Sequence, residues 1–191
     1  METARLRLEV LSPERIPDLF STIGTEPDVY RWLNFARPET FEDFAKVMNN
    51  LIAETTAGLR IAHVVIEKST NKAIGTTSLM DLKTSPTALE IGSTFYAKEY
   101  WRTFVNTECK LVMLTESFEV RGVERVFFKT DSMNERSRNA ILHLGASFEG
   151  IFRHHMKRPD GTWRDSAFYS ILREEWPAVK RGLIERASRS S

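Results

Sequence analysis

Two apolar stretches in the middle of the chain are each followed by a pattern of helical spacing. Leu89–Phe95 and Arg125–Thr130 are short and rich in β-branched and aromatic residues, which is typical of strands. The first leads through an irregular turn, residues 96–106, into a helix predicted from about Thr107 to Val120. The second leads into a helix predicted to end at Gly145, because glycine is favoured just after a helix. The pattern is therefore strand, helix, strand, helix.

Each of these two helices is predicted to begin where a strand has just ended. The N-terminus of a helix carries unpaired backbone N–H groups and a partial positive charge. A loop that leads into such an end is suited to a ligand that carries phosphate. The pattern therefore indicates two neighbouring positions at which a phosphate-bearing ligand would bind.

The rest of the chain continues the same alternation of strands and helices. Polar and apolar residues alternate over Arg5–Val10, which predicts a half-buried first strand, and Thr40-Phe41-Glu42-Asp43 has the pattern of a capping box. Residues 84–87 are predicted to form a loop. The predicted strands are 5–10, 60–67, 73–82, 89–95, 125–130, 146–156 and 163–172, and the predicted helices are 12–24, 40–55, 107–120, 134–144 and 174–191.

Composition narrows the class of protein. A chain of 191 residues with 41% hydrophobic residues can bury a sizeable core, and its length predicts one domain over residues 1–177, followed by a C-terminal helix and tail over 178–191. The 27 basic and 26 acidic residues leave a net charge of +1. This balance gives no footprint for nucleic acid or for an anionic membrane surface.

The single cysteine and the absence of a long apolar run point to a cytoplasmic protein. Cys109 excludes an internal disulfide and suits a reducing compartment. No stretch reaches the roughly 20 apolar residues of a membrane span, and the N-terminus lacks the apolar run of a signal peptide. The histidines have no metal-ligand spacing with Cys109, so we expect no metal site.

Four short motifs occur in a fixed order along the chain: Leu89-Glu90-Ile91-Gly92, Tyr100-Trp101, Asn134-x-x-Ser137 and His143-Leu144-Gly145-Ala146. This ordered set resembles the acetyl-CoA-dependent N-acetyltransferases of the GNAT superfamily, and within it most closely the ribosomal-protein N-terminal acetyltransferase (Rim-type) branch. The resemblance extends over roughly residues 5–177. It implies an α/β fold with a mixed, mostly antiparallel sheet of about seven strands flanked by helices.

The resemblance also implies an activity. The acetyl group of acetyl-CoA, the co-substrate, would move to a primary amine by direct attack in a ternary complex. The acceptor would be a protein N-terminus or a small molecule. The alternative is a catalytically silent GNAT-like module that binds CoA weakly or not at all and acts through protein contacts. The acceptor's identity and the oligomeric state, including a homodimer, stay open.

By resemblance, the pantetheine arm lies in a gap of the sheet, between residues 91–96 and 128–130. Glu90 lies where many GNAT enzymes have an acidic residue that acts as general base, directly or through water, and burial near the gap would raise its pKa toward useful values. A solvated strand glutamate, or an ion-pair partner, is an equally open interpretation of Glu90. Many relatives carry a tyrosine general acid at the position of Ile141, which leaves Ser137 or water to protonate the departing thiolate.

The phosphate loop departs from the family pattern. Phe104 stands where relatives usually have glycine, so its side chain would hinder the approach of backbone N–H groups to the pyrophosphate. Arg102 would compensate as a charge partner. The residues predicted to bind the cofactor are Phe95, Tyr96, Arg102, Thr103, Phe104, Val105, Asn106, Thr107, Thr130, Asn134 and Arg138.

Two further interpretations stay open. Asn134 would bind the cofactor, but a capping box formed by Ser132 and Glu135 would make Asn134 only a residue at a helix start. The aromatic segment 28–38 would wall the acceptor site by resemblance, or it would simply close the core.

Overall fold

The centre of the protein is a seven-stranded sheet in the order β1-β2-β3-β4-β5-β7-β6. The computed structural model describes residues 1–82 and 87–189, so the loop predicted at 84–87 lies, except for Thr87, outside the described residues. Every neighbouring pair of strands is antiparallel except β4 and β5, which are parallel. The predicted mixed, mostly antiparallel sheet is confirmed. The strands are β1 Leu6–Val10, β2 Arg60–Glu67, β3 Lys72–Met80, β4 Ala88–Tyr96, β5 Arg125–Asp131, β6 Ser147–Lys157 and β7 Trp163–Leu172.

The helices flank this sheet, and one of them has the predicted cap. Thr40 Oγ1 accepts a hydrogen bond from the backbone N–H of Asp43 at 3.1 Å, and the Asp43 carboxylate accepts one from the Thr40 N–H at 3.3 Å. This reciprocal pair is a capping box, as predicted. The helices are α1 Ile16–Ile23, α2 Pro27–Tyr30, α3 Phe41–Thr56, α4 Phe104–Thr115, α5 Glu135–Leu144 and α6 Trp176–Arg189.

The predicted start of α4 at Thr107 was wrong, because the helix begins at Phe104. Thr103 has an extended backbone, and its Oγ1 accepts a hydrogen bond from the N–H of Val105 at 3.3 Å. A threonine in this position satisfies one of the free N–H groups at a helix start. The residues 104–106 that were predicted to lie in an irregular turn are therefore helical.

The two faces of the sheet are covered differently. Helices α4 and α6 pack on one face, where the core runs from Leu6 on β1 to Tyr169 on β7. Helices α1 and α3 pack on the other face, with residues of β2, β3 and β4. In the described part of the chain this second core contains no residue of β5, β6 or β7. One half of that face is therefore left for other contacts.

Helix α6 belongs to the first core. Trp176 stacks on Phe118 with ring centroids 5.4 Å apart, and Leu183 is fully buried. The division predicted after Pro177 falls within α6, and the part of the tail segment that precedes Ser190 is helical to Arg189. Ser190 and Ser191 lie outside the described residues.

Strands β4 and β5 separate soon after they meet. Only Ala88, Leu89 and Glu90 pair with β5, although the two strands continue to Tyr96 and Asp131. On its other side β4 carries a bulge, because Gly92 to Phe95 spans one residue more than the opposing part of β3, and Ser93 adopts φ +50°. The sheet therefore opens beyond Glu90, at the position of the gap that the resemblance implied.

We expect Gly75→Ala to destabilise the protein by displacing β4 at this opening. A Cβ at Gly75 would overlap the carbonyl oxygen of Phe95 and would lie 2.5 Å from the Tyr96 ring. Overpacking against backbone typically costs about 1–3 kcal/mol of unfolding free energy, which urea titration measures. Gly182→Ala in α6 is the matched control, since its Cβ meets only the flexible Arg186 side chain, at 3.4 Å. Equal stability of the two variants would contradict this interpretation of the bulge.

Candidate active site

The opening between β4 and β5 exposes the centre of the sheet. Gly92, Ser93 and Thr94 are half-exposed, although they lie in the middle strand of seven, because β5 has left them without a neighbour. Their backbone groups on that side are free of the β4–β5 ladder. An extended ligand can therefore take the place of a strand here, with its polar groups paired to β4.

Glu90 lies at the last residue pair before the opening. Its side chain is almost fully buried, and it forms an ion pair with Lys129 of β5, Nζ to Oε2, at 2.7 Å. Burial raises the pKa of Glu90, while the Lys129 ammonium opposes that rise. The ion-pair interpretation of Glu90 is thus realised. Its role as a general base stays a prediction, and the raised pKa is compatible with it.

The turn before α4 is shaped by Arg102 and Thr103. Arg102 is exposed and adopts φ +61°, a conformation that favours glycine. Phe104, the first residue of α4, is half-exposed, and the guanidinium of Arg5 lies 3.8 Å from its ring centroid. The ring also packs against the core. The residue of this turn with a glycine-like backbone is therefore Arg102 and not Phe104. The Phe104 ring packs against Arg5 and the core.

A stacked pair joins the starts of α4 and α5. The guanidinium of Arg136, in the first turn of α5, lies 3.5 Å from the Trp101 ring centroid. The Trp101 indole N–H donates to the carbonyl oxygen of Tyr96 at 3.0 Å, which fixes the ring against the end of β4. Partial burial lowers the pKa of Arg136, and repulsion by the nearby charge of Arg102 adds to this effect. Two helix N-termini and two arginines thus converge.

The start of α5 is capped by Asn134. Its Oδ1 accepts a hydrogen bond from the Ser137 N–H at 3.1 Å, and the side chain is buried. The alternative capping box between Ser132 and Glu135 was wrong, because Asn134 occupies the cap position. Asn134 thus has a structural role at the start of the helix, and a part in cofactor binding stays a prediction.

The Arg138 side chain is already engaged within the protein. Its Nε donates to the Tyr169 hydroxyl at 3.0 Å and its Nη1 to the carbonyl oxygen of Ser132 at 3.1 Å. These bonds hold α5 against the sheet. A contact of Arg138 with phosphate would have to use its remaining donors.

The other predicted cofactor residues divide by exposure. The side chains of Phe95, Tyr96 and Val105 are buried in the cores, and Thr130 is also buried, so these positions offer their backbone. Thr103 is exposed, and Asn106 and Thr107 are half-exposed on the first turn of α4. The side chains that reach the surface therefore cluster around the start of that helix.

A second opening lies on the face that α1 and α3 leave uncovered. This cavity of about 240 Å³ is bounded by residues 27–37 and by the end of the β6–β7 hairpin, residues 156–160, with Asp131 and Arg164 between them. Segment 28–38 was predicted either to wall the acceptor site or to close the core. It contributes to the core, because Tyr30 is buried beside Phe35 and Phe95, and residues 30–37 also line the cavity. A role in acceptor binding stays a prediction.

An ion pair also connects the segment 27–37 to the turn before α4. Lys98, in the short 3₁₀ turn that precedes Trp101, pairs with Asp28 at 2.7 Å. The pair is exposed and contributes little to stability. It nevertheless shows that the cavity wall lies next to the start of α4. The cavity and the opening between β4 and β5 are therefore neighbours.

Lys110 lies buried behind the opening. It is only 5% exposed, and its Nζ donates to Thr94 Oγ1 at 2.7 Å and to Thr77 Oγ1 at 3.3 Å. Burial lowers the pKa of Lys110, because the two hydroxyls supply dipoles rather than a full negative charge. Thr94 is half-exposed at the opening, so only the Thr94 side chain separates the Lys110 amine from the opening.

His63, on β2, is buried. Burial lowers its pKa to about 4, and among the described residues its Nδ1 finds no hydrogen-bond partner. The ring is therefore neutral near pH 7. In residues 1–82 and 87–189, no three His, Cys, Asp or Glu side chains are grouped to hold a metal ion, and no helix combines the length and apolar character of a membrane span.

Sequence reasoning missed four charged residues of this region: Lys129, Arg136, Arg164 and Lys110. Lys129 and Arg164 are brought to Glu90 by pairing of strands that are far apart in sequence. The one available signal for Lys129 was the alternation of strand residues: alternate residues of β5 share a face, so Lys129 lies on the same face as Phe127, the partner of Glu90.

Comparison with known proteins identifies the type of domain. The family described as acetyltransferase (GNAT) domain matches residues 5–147. No curated protein matches the chain. A GCN5-related N-acetyltransferase from Brucella melitensis is 28% identical, with a TM-score of 0.90 over 97% of this chain and 84% of that one.

Two further structures share the architecture. A protein from T. thermophilus assigned to the acetyltransferases is 34% identical, with a TM-score of 0.86 over 97% of this chain and 95% of that one. The ribosomal-protein-S5-alanine acetyltransferase from Vibrio fischeri is 20% identical, with a TM-score of 0.72 over 92% and 97%, and it shows the shared fold alone.

We expect Lys110→Met to raise the thermal midpoint at neutral pH, because it removes a buried amine. The unfolded chain binds a proton at Lys110 up to about pH 10.5, whereas the folded chain binds it less readily. The lysine therefore destabilises the fold below that pH, and the advantage of the variant should shrink as pH rises toward it. Thr77 and Thr94 keep their mutual hydrogen bond of 2.8 Å.

Thermal scans from pH 7 to pH 10 measure this difference. Lys46→Met, at an exposed position of α3, is the control for removing a lysine that is not buried. A Lys110→Met variant less stable than the parent at pH 7 would show that the amine is favourable where it lies.

Proposed function

The chain belongs to the GNAT acetyltransferase family, and on that premise we propose that it moves the acetyl group of acetyl-CoA to a primary amine. The observation that carries the proposal is the separation of β4 and β5 beyond Glu90, next to two helix N-termini. The acceptor is a protein N-terminus or a small-molecule amine. Attack is direct, within a ternary complex of enzyme, acetyl-CoA and acceptor.

The pantetheine arm of acetyl-CoA occupies the opening in this proposal. Its amides pair with the free side of β4 around residues 92–96, as an added strand would. A backbone N–H freed by the bulge at Ser93 is suited to the thioester oxygen, on which negative charge develops. Donors held by the sheet need no reorganisation when that charge appears.

The pyrophosphate is held at the start of α4. Free N–H groups of the first helical turn and the guanidinium of Arg102 face an anion there, with Arg136 as a second positive charge. Thr103, Asn106 and Thr107 add polar contacts from exposed or half-exposed positions. Because the two arginine contacts are exposed to solvent ions, binding should weaken with salt.

Glu90 acts on the amine, directly or through water. A protonated amine cannot attack, and a carboxylate with a raised pKa accepts the proton more readily than an ordinary glutamate. Lys129 holds Glu90 in place before the amine arrives. Attack forms the new C–N bond, the C–S bond then breaks, and Ser137 or water protonates the thiolate.

We expect acetyl-CoA to raise the thermal midpoint, since a ligand bound only by the native state stabilises it by mass action. At 100 times its Kd the gain is about 2.7 kcal/mol, which corresponds to several degrees for a chain of this size. ATP at the same concentration is the control for non-specific phosphate binding. No shift at millimolar acetyl-CoA would favour the silent module.

We expect Glu90→Gln to lower turnover by about 10²- to 10⁴-fold and to leave acetyl-CoA affinity nearly unchanged. Activity of the parent should rise as pH increases through the raised pKa of Glu90. The pH–rate profile of the variant should lack this rise. Free thiol release with an amine acceptor measures the rate.

Glu149→Gln provides a matched control. Glu149 lies on β6 and pairs with Arg125, the first residue of β5, at 2.5 Å. This pair is away from the opening between β4 and β5. Breaking that pair tests the loss of a glutamate ion pair alone. Equal loss of turnover in the two variants would remove Glu90 from the chemistry.

A further inference from the structure

The cavity beside segment 27–37 is rich in positive charge. Among its described lining residues, cationic side chains outnumber carboxylates by five to two. The cations are Arg31, Arg37, Lys157, Arg158 and Arg164, and the carboxylates are Asp131 and Asp160. A whole chain with net charge +1 does not require such a local excess.

Both carboxylates are already committed to protein partners. Asp131 Oδ2 accepts from Arg158 Nε and Nη2, each at 2.8 Å, and its Oδ1 accepts from the Met133 N–H at 3.0 Å. Asp160 Oδ1 accepts from the N–H and the hydroxyl of Thr162, at 2.9 and 2.7 Å. Arg158 is committed by the same contacts, so the cations that remain for a ligand are Arg31, Arg37, Lys157 and Arg164.

Arg164 is the most unusual of these cations. The residue is only 9% exposed, yet it reaches the cavity wall, and its buried Nε finds no acceptor among the described residues. Burying a guanidinium donor without a partner is unfavourable, so such groups are normally paired. An anion in the cavity would give this buried positive charge a partner, at the part of the Arg164 side chain that reaches the wall.

Strand register places Arg164 on the same face as Glu90. Glu90 pairs with Phe127, Asp131 with Ser166 on β7, and alternate residues of each strand share a face. The charge of Arg164 acts on both Glu90 and Asp131. Arg164 therefore lies between the cavity and the carboxylate assigned to the acceptor amine.

We propose that the acceptor is a small amine that carries a carboxylate, with the carboxylate in the cavity against Arg164 and the amine directed toward Glu90. Arg31, Arg37 and Lys157 add a positive field around the same group. This inference rests on the proposed function, and it specifies the acceptor within it. The same field disfavours a polyamine, whose second ammonium would meet like charges.

Three amines of one chain length test the proposal. 5-Aminopentanoate, pentylamine and 1,5-diaminopentane each present the same primary amine and differ in the far group: carboxylate, methyl or ammonium. We expect kcat/KM with acetyl-CoA to fall in that order, by about tenfold or more at each step, the range of a hydrogen bond to a charged group. The difference should appear mainly in KM.

The cationic wall of the cavity is tested by Arg164→Gln and by Arg31→Gln. Because Arg31 is exposed, its substitution should leave the fold intact even if loss of the buried Arg164 does not. Both should raise KM for 5-aminopentanoate and leave KM for pentylamine nearly unchanged. Arg153→Gln, an exposed arginine of β6 outside the cavity lining, should change neither.

Binding is measured separately from turnover. 5-Aminopentanoate should raise the thermal midpoint in the presence of CoA, and 1,5-diaminopentane at equal ionic strength should not. Faster acetylation of the diamine, or of an amidated peptide without acidic side chains, would overturn the proposed acceptor and leave acetyl transfer intact. Binding of acetyl-CoA without acetylation of any amine would overturn the proposed function. Stabilisation by 5-aminopentanoate that Arg164→Gln abolishes would still support the anion site.

Discussion

The site depends on one constraint, which is that β4 and β5 pair over only three residues. If this parallel ladder continued, the middle of the sheet would be closed, and the backbone of Gly92 to Thr94 would be paired. The bulge at Ser93 and the strand divergence give β4 a free edge, although β4 is the central strand of the sheet. Helices α4 and α5 then begin at the two sides of this internal edge.

Charge is distributed around the opening with a clear division of roles. Arg102 and Arg136 lie at the helix starts, where a phosphate would be bound, and a second group of cations lines the cavity. The buried carboxylate of Glu90 is balanced by Lys129. Burial raises the pKa of Glu90, and this effect outweighs the charges of Lys129 and Arg164, which favour the carboxylate.

Strand positions followed from the hydrophobic pattern to within two residues, because six of the seven strands carry buried residues, and turn residues mark the ends of the β6–β7 hairpin. The α4 start was misplaced by three residues, since Thr103 can cap a helix but an aromatic residue directly after it gave no signal of one. Arg164 and Lys129 could not be assigned at all. Their meeting with Glu90 depends on the register of strands β4, β5 and β7, which local sequence does not encode.

The short β4–β5 junction also bears on how the chain folds. The β2–β3–β4 meander and the β6–β7 hairpin join strands that are adjacent in sequence, so their contacts close short loops. The junction instead joins Glu90 to Phe127 across the whole of α4, and three residue pairs must compensate for that loop closure. Contacts of this kind slow folding. The two halves of the sheet should therefore form first and dock late, so the residues that create the opening are among the last to be ordered.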